Sequence, residues 1–297
     1  AIRPDFSDAA LRTGRDRNWC HAALMSQPRT YPHGVPSWID TEQPDPEAAQ
    51  DFYRELLGWT FTHVSPPGAP YYSIASLDGH DVAGLGAAPA GSAVWNTYIA
   101  ADDTAATAAK VLSAGGEVVM GPITPGPAGT LAVCRDPAGA EFRLWQAGAR
   151  LGAQAVNVPG SWNFSDLHTD QPGTTAFYRE LFGWEIAELG FATLLRAPGY
   201  GDHLEATVDP EIRKRQAGGT APSGFEDAIA WVADLEPGTT PHWHVSVAVA
   251  DRDASAAAAQ RLGAEVTAMQ ETRWTRTVLV RDPQGAMFTA SQFTPHG

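Results

Sequence analysis

Hydrophobic and polar residues alternate at the start of the first patterned region of the chain. Across residues 36–42, Trp38, Asp40 and Glu42 share one face and the residues between them share the other, which is typical of a β-strand. Similar short segments predict further strands at 71–76, 81–85, 94–101, 117–120, 130–134 and 141–146. The first half of the chain is therefore predicted to be rich in β-sheet.

Two helices are predicted between these strands. Asp45 is a candidate N-cap, Pro46 suits the first helical turn, and apolar pairs follow at four-residue spacing until Gly58 ends the helix. An Ala-rich segment at 104–113 predicts the second helix. The order is βαβββ followed by βαβββ. This α+β arrangement predicts a curled mixed sheet backed by helices.

The second half of the chain repeats the first. Three segments recur in the same order: 52–59 (Phe-Tyr-Arg-Glu-Leu-Leu-Gly-Trp) at 177–184, 115–118 at 263–266, and 136–140 at 282–286. The offset grows from 125 to 146 residues, which places the extra residues of the second copy around 212–240. The sequence thus predicts an N-terminal extension (1–33) and two tandem modules (34–149 and 158–297), each made of paired βαβββ units.

Composition and charge exclude several classes of protein. The chain has 297 residues, 43% of them hydrophobic and ten of them Trp, so it can bury a core and is not disordered. A net charge of −14 disfavours nucleic-acid binding, and no apolar segment approaches the roughly 18 residues of a membrane span. Two cysteines give no disulfide framework and no cysteine-based zinc site. We expect a cytoplasmic monomer or homodimer whose partner is a small molecule.

The repeated motifs resemble those of the vicinal oxygen chelate superfamily, which includes glyoxalase I, antibiotic-resistance proteins of the bleomycin and fosfomycin types, and extradiol dioxygenases. The resemblance rests on a strand, Asp-Pro-Glu-Ala-Ala, the segment 52–59, and later Asp-Pro-Ala-Gly-Ala before a final strand. Segments 94–99 and 144–146 are similar to the tandem actinobacterial glyoxalase-like proteins, often named hydroxylases. The resemblance covers 34–295 and implies the fold, but it does not imply one reaction.

The resemblance implies four metal-ligand positions in each module, on its first, fourth, fifth and eighth strands, and usually filled by His, Glu or Gln. In the first module these positions hold Trp38, no acid near 82–84, Asn96 and Arg143. In the second they hold Asn163 or Phe164, Glu205 by a loose alignment, His244 and Thr289. Because Arg143 repels a cation and keeps its proton, we expect at most one divalent metal ion, in the second module.

The second module carries the stronger candidate site. His242 and His244 share one face of a predicted strand. The candidate metal ligands are His244, His242, Glu205 and His168, with His203 as a further option. If Phe164 corresponds to Trp38, Asp166 falls in register with Asp40. Burial in the hollow of the curled sheet would raise the pKa of a carboxyl, so Asp40 and Asp166 are both candidate general bases. The structural alternatives are histidines bonded within the core and aspartates that cap a helix or pair with an arginine such as Arg143.

The first module offers a different candidate, an aromatic pocket with few polar anchors. Its predicted ligand-binding residues are Trp38, Trp95, Asn96, Tyr98, Arg143 and Trp145. Aromatic walls of this kind suit a flat organic ligand, although aromatic residues on strands also form ordinary cores.

Three functions remain open from the sequence. The first is an enzyme of the glyoxalase or dioxygenase type that acts on a small oxygenated or aromatic metabolite with a divalent metal in the second module. The second is a metal-free protein of the bleomycin-resistance type that binds an antibiotic or metabolite without turnover. The third is a metal-independent acid–base enzyme that uses Asp40 or Asp166.

Overall fold

The chain folds into two mixed sheets of eight strands each, as predicted. The computed structural model describes residues 28–171, 173–190, 192–217, 221–236 and 238–294, so most of the predicted extension, residues 1–27, lies outside the described residues. The first module contains β1 (Pro36–Gln43), α1 (Pro46–Leu57), β2 (Thr60–His63), β3 (Tyr72–Leu77), β4 (His80–Ala87), β5 (Val94–Ala100), α2 (Thr104–Ser113), β6 (Glu117–Ile123), β7 (Gly129–Arg135) and β8 (Glu141–Ala147). Its strand order is β2-β3-β4-β1-β5-β8-β7-β6.

The second module repeats this order with one insertion. It contains β9 (Trp162–His168), α3 (Thr174–Phe182), β10 (Glu185–Glu188), β11 (Thr193–Arg196), α4 (Tyr200–Thr207), α5 (Ile212–Ala217), a 3₁₀ turn (Phe225–Asp227), β12 (Ala228–Ala233), β13 (His242–Ala248), α6 (Arg252–Arg261), β14 (Glu265–Glu271), β15 (Thr275–Arg281) and β16 (Met287–Phe293). The sheet order is β10-β11-β12-β9-β13-β16-β15-β14.

The predicted position of the insertion is wrong. The extra residues lie between β11 and β12, where α4, α5 and the 3₁₀ turn replace the direct β3–β4 hairpin of the first module. The prediction of 212–240 begins too late, because the internal repeats give no boundary between 184 and 263 and because Gly, Pro and charge mark the start of the insertion, at α4, no less than the segment that follows.

Helix α1 forms where its capping residues predict. The Asp45 carboxylate accepts a hydrogen bond from the Ala48 backbone N–H, at 3.1 Å, and Gly58 ends the helix with a φ of 77°. The short strand β2 that follows was not predicted, since three of its four residues are exposed and give no alternating pattern. No helix within the described ranges is long and apolar enough to cross a membrane.

Strand register settles how the two modules correspond. Trp38 pairs with Tyr98 across β1 and β5, and Phe164 pairs with Ser246 across β9 and β13. Phe164, and not Asn163, is therefore the equivalent of Trp38. Two residues further along each first strand, Asp40 and Asp166 are equivalent positions, since each follows the paired aromatic residue by the same spacing.

The repeated motif joins the two modules to each other. The Tyr53 hydroxyl of the first module donates to the Asp282 carboxylate of the second, at 2.7 Å, and the Tyr178 hydroxyl donates back to Asp136, at 3.0 Å. Each aspartate also accepts backbone N–H bonds within its own Asp-Pro-x-Gly turn. The repeated motifs thus connect the two modules by one hydrogen bond in each direction. Both hydrophobic cores contain side chains from both modules.

Candidate functional site

The concave side of each curled sheet is called its cup. In the first module, the cup is filled by the module's own side chains around Asp40. This carboxylate is fully buried and accepts hydrogen bonds from Asn96 Nδ2 (2.8 Å), the Tyr72 hydroxyl (3.0 Å) and the Tyr98 hydroxyl (2.5 Å). Arg143 Nη1 lies 3.5 Å from the same carboxylate. The four donors leave Asp40 no open face for a ligand.

Arg143 and Tyr72 complete this group of side chains around Asp40, which is called the plug. Arg143 also binds Glu42, with 2.7 Å between Nη2 and Oε1, and its guanidinium lies over the Tyr98 ring. The Tyr72 hydroxyl comes so close to Gly84 that a Cβ at Gly84 would overlap with it. A side chain at this fourth-strand position is therefore excluded by the packing.

The structure brings together only part of the predicted aromatic pocket. Trp38 and Tyr98 are buried in the Asp40 network, and Trp145 packs edge-on against Tyr98 at 6.4 Å. Trp95 lies on the other face of β5, because side chains alternate along a strand, and packs against Tyr53 and Trp59 in the core behind the sheet. The expectation that Trp95 shares one pocket with the other five residues is wrong.

The second module brings three histidines and an aspartate together on two paired strands. His168 on β9 lies directly opposite His242 on β13, and Asp166 lies directly opposite His244. Within the described part of the chain, His168, His242 and His244 form a group whose ligand atoms all lie within 4.8 Å of one another. The three imidazoles therefore converge on one face of a two-strand ladder.

Hydrogen bonds orient two of the three imidazoles. His242 Nδ1 lies 2.8 Å from the Thr240 carbonyl oxygen, which can only accept, so Nδ1 donates this hydrogen bond and Nε2 takes no part in it. His244 Nε2 lies 2.9 Å from the Thr289 hydroxyl. His168 Nδ1 is buried and has no partner among the described residues. Oriented imidazoles with an unused nitrogen are the arrangement that metal-binding histidines show.

Burial keeps His168 and His244 neutral. Burial, and after it the neighbouring imidazoles, lower the pKa of His244 to about 3 and that of His168 to about 4. Neutral imidazole is the form that binds a metal ion, so these two side chains need lose no proton to bind a cation at neutral pH.

Asp166 differs from its counterpart in the first module. Burial raises its pKa to about 7, and only a hydrogen bond from the Trp231 backbone opposes this. Its Oδ1 atom is inaccessible to solvent and has no partner within the described residues. The carboxyl is thus poised to hold or release a proton near neutral pH.

Glu205 does not belong to this site. The loose alignment placed it on the fourth strand of the module, but it lies on α4 of the insertion, half exposed, and pairs with Arg213. His203 lies on the same helix and contacts Thr30. The residue that pairs with Asp166 on the fourth strand, β12, is Trp231.

An aromatic wall beside Asp166 was missed from the sequence. Trp231 packs against Phe164 at 6.3 Å and against Phe225 of the insertion at 5.9 Å. The strand pattern of 228–233 could have revealed this wall, but the insertion predicted at 212–240 includes that segment.

Comparisons with known proteins are consistent with two repeated modules. The model of the glyoxalase-like domain matches the chain twice, at residues 38–145 and 162–291. The Mycobacterium tuberculosis protein named "Putative glyoxylase CFP32" is 34% identical over 280 residues, which cover 91% of this chain and 99% of the relative. The anthracycline biosynthesis protein DnrV of Streptomyces peucetius is 35% identical over 276 residues, 86% of this chain and 92% of the relative.

Solved structures share the fold at low sequence identity. A Mn(II)-bound glyoxalase from Novosphingobium aromaticivorans has a TM-score of 0.56 at 16% identity, over 87% of this chain and 82% of the other. A catechol 2,3-dioxygenase has a TM-score of 0.56 at 12% identity, over 90% of both chains. Two tandem cup-shaped sheets of this type define the vicinal oxygen chelate fold. The chain belongs to the family of proteins with the glyoxalase-like domain.

Proposed function

We propose that the chain is an enzyme of the glyoxalase or dioxygenase type with one working site, in its second module, that acts on a small oxygenated molecule. The observation that carries the proposal is the convergence of His168, His242 and His244 within 4.8 Å. The equivalent face of the first module is closed by the Asp40 network, so a single site per chain is proposed.

The donor set fits a divalent transition-metal ion. Three imidazoles suit Zn²⁺, Fe²⁺, Co²⁺ or Ni²⁺ and leave coordination positions for substrate or water. Such an ion, when bound, supplies Lewis acidity and a template for neighbouring substrate oxygens. The unpaired, buried Nδ1 of His168 supports this assignment, because an unused buried polar atom costs free energy that a ligand would recover.

The chain's own residues would provide orientation and proton transfer. Thr289 and the Thr240 carbonyl fix the rings of His244 and His242. Asp166, opposite His244, would exchange a proton with the substrate at its carboxyl oxygen. Trp231 and Phe164 would exclude water from one side of the substrate.

Metal binding by single variants tests the proposal. Co²⁺ added to chelator-treated protein should bind with a visible absorption band, and the variants His168→Ala, His242→Ala and His244→Ala should each weaken binding by about tenfold or more. The variants His203→Ala and Glu205→Ala serve as matched controls, because both residues lie on α4 and outside the histidine group, and they should bind Co²⁺ like the parent protein.

Turnover separates the enzyme from the alternatives. The metal-loaded protein should convert members of a panel of 2-oxoaldehydes and catechols, and His244→Ala should abolish this conversion. Activity that survives both chelation and His244→Ala but is lost in Asp166→Asn would replace the proposal with metal-independent acid–base catalysis. Co²⁺ binding that none of the three histidine variants weakens would overturn it.

A further inference from the structure

A cavity of about 130 Å³ lies beside the second module, away from the histidines. Its walls come from the start of β9 and of β12, from the helical insertion and from the segment that precedes β1. None of His168, His242, His244 and Asp166 lines it, but Phe164, which also borders the proposed metal site, does. The cavity therefore adjoins the proposed metal site without including its histidines.

Arg29 contributes a cation to this cavity without a carboxylate to balance it. No ion pair joins Arg29 to an acidic side chain in the part of the chain that the structure describes, and its Nε atom is buried without a partner there. Its neutral neighbours are the Tyr200 hydroxyl, 3.3 Å from Nη2, and the Tyr31 ring. A half-buried guanidinium in such surroundings favours an anion.

The backbone holds Arg29 in place. Its N–H donates to the Gln154 side-chain oxygen at 2.9 Å, and its carbonyl accepts from the Gln154 amide at 3.1 Å. The acidic Glu226 also lines the cavity, but its carboxylate faces the Arg213 guanidinium, 3.8 Å from Nε. Arg29 is thus a fixed positive group whose charge no lining carboxylate neutralises.

The rest of the wall is largely aromatic or aliphatic. Trp162, Leu204 and Ile229 are buried side chains that line the cavity. An apolar protein cavity of about 150 Å³ holds one benzene molecule, and this cavity of about 130 Å³ is close to that size, so it suits a ligand with no more than one ring. A flat apolar body against these walls and an anionic group on Arg29 describe one chemical class of ligand.

We propose that this cavity binds a single-ring aromatic carboxylate, with Arg29 as the residue that recognises the carboxylate. The site is separate from the histidine group, and it stands or falls independently of the proposed metal chemistry.

Titration calorimetry with benzoate and with benzyl alcohol tests the proposal, since the two probes share a ring and differ in charge. The protein should bind benzoate about tenfold or more tightly than benzyl alcohol, which corresponds to one charge-assisted hydrogen-bonded contact. Arg29→Met should reduce benzoate binding to the level of benzyl alcohol, while Arg29→Lys should keep a preference for the anion. Binding of benzyl alcohol that is unchanged in Arg29→Met shows that the cavity is intact in the variant.

Two further variants localise the binding. His244→Ala should bind benzoate like the parent protein, because the histidines do not line the cavity. Arg54→Met, which removes an exposed arginine from α1, should also leave binding unchanged. The proposal fails if benzoate does not bind at concentrations up to about 10 mM, if Arg29→Met binds it like the parent, or if His244→Ala abolishes it.

Discussion

Asp40 and Asp166 occupy equivalent positions in the two sheets, and their surroundings give them opposite properties. Asp40 accepts hydrogen bonds from Asn96 and two tyrosines and lies beside a guanidinium, so its charge is fully compensated. Asp166 lies opposite His244, and burial raises its pKa to about 7. The two equivalent carboxylates thus differ in their partners: four donors surround Asp40, whereas Asp166 Oδ1 has none among the described residues.

The raised pKa of Asp166 predicts a pH-dependent stability. Between about pH 4 and pH 7 the folded carboxyl holds a proton that the unfolded chain releases, so the free energy of unfolding falls as the pH rises through this window. In chelator-treated protein, Asp166→Asn should remove this dependence and raise stability at pH 8, by about 4 kcal/mol at most. Urea unfolding of both proteins at pH 5 and pH 8 measures it. An equal gain at both pH values would contradict the assignment.

Arg143 is predicted to be essential for the stability of the first module. Arg143→Met leaves Asp40 and Glu42 without their cation and should cost about 3–5 kcal/mol in urea unfolding, as for other broken buried pairs. The double variant Arg143→Met with Asp40→Asn should recover much of the loss. Arg135→Met removes an exposed arginine of the neighbouring strand β7 and should cost less than about 1 kcal/mol.

At the scale of elements, helices α1 and α3 connect the modules as well as pack against their own sheets. Tyr53 on α1 and Tyr178 on α3 each reach the Asp-Pro-x-Gly turn of the opposite module. The indole N–H of Trp59 similarly donates to the Gly160 carbonyl, and that of Trp184 to the Gly34 carbonyl. The duplicated sequence therefore encodes an interface twice, once from each side.

Both reciprocal tyrosines should contribute to stability. Tyr53→Phe and Tyr178→Phe each remove a hydrogen bond to a buried carboxylate and should each cost about 1.5–3 kcal/mol in urea unfolding. The loss should be larger for Tyr178→Phe, because it also removes the acceptor that lies 2.9 Å from the Trp243 indole nitrogen. Because the two bonds lie in different modules' turns, the losses should be roughly additive in the double variant. Tyr71→Phe, on a part-buried tyrosine that bonds within the first module, is the comparison. A loss of stability in only one of the two variants would show that a single tyrosine, and not both, stabilises the contact between the modules.

Local signals explain which elements the sequence predicts correctly. Helix α1 carries its own N-cap and its own terminating glycine, and β1 carries its own alternation, so neither depends on the rest of the fold. Trp95 and Glu205 could not be placed in this way. The side of the sheet that Trp95 faces depends on strand register, and the fourth strand of the second module was hidden by an insertion of unknown extent. The histidine group was accessible because alternation alone puts His242 and His244 on one face.

At the scale of the whole molecule, the two modules should unfold as one unit. One hydrophobic core contains Tyr53 and Trp59 of the first module together with Val245 and Phe288 of the second. We expect tryptophan fluorescence and far-UV circular dichroism to report a single, coincident urea transition. Residues 34–149 expressed alone should lack a cooperative transition, because separation exposes this shared core. Two separate transitions in the full chain would show that the modules are independent.

The plug in the first cup also determines how hard it would be to create a ligand site there. Removing Arg143 alone leaves two acids without their cation, and removing Asp40 alone leaves three donors without their shared acceptor, so each single step lowers stability before it opens any space. The Tyr72 hydroxyl would still occupy the space above Gly84. Because these side chains satisfy one another, opening this side of the molecule to a ligand demands several coordinated replacements at once.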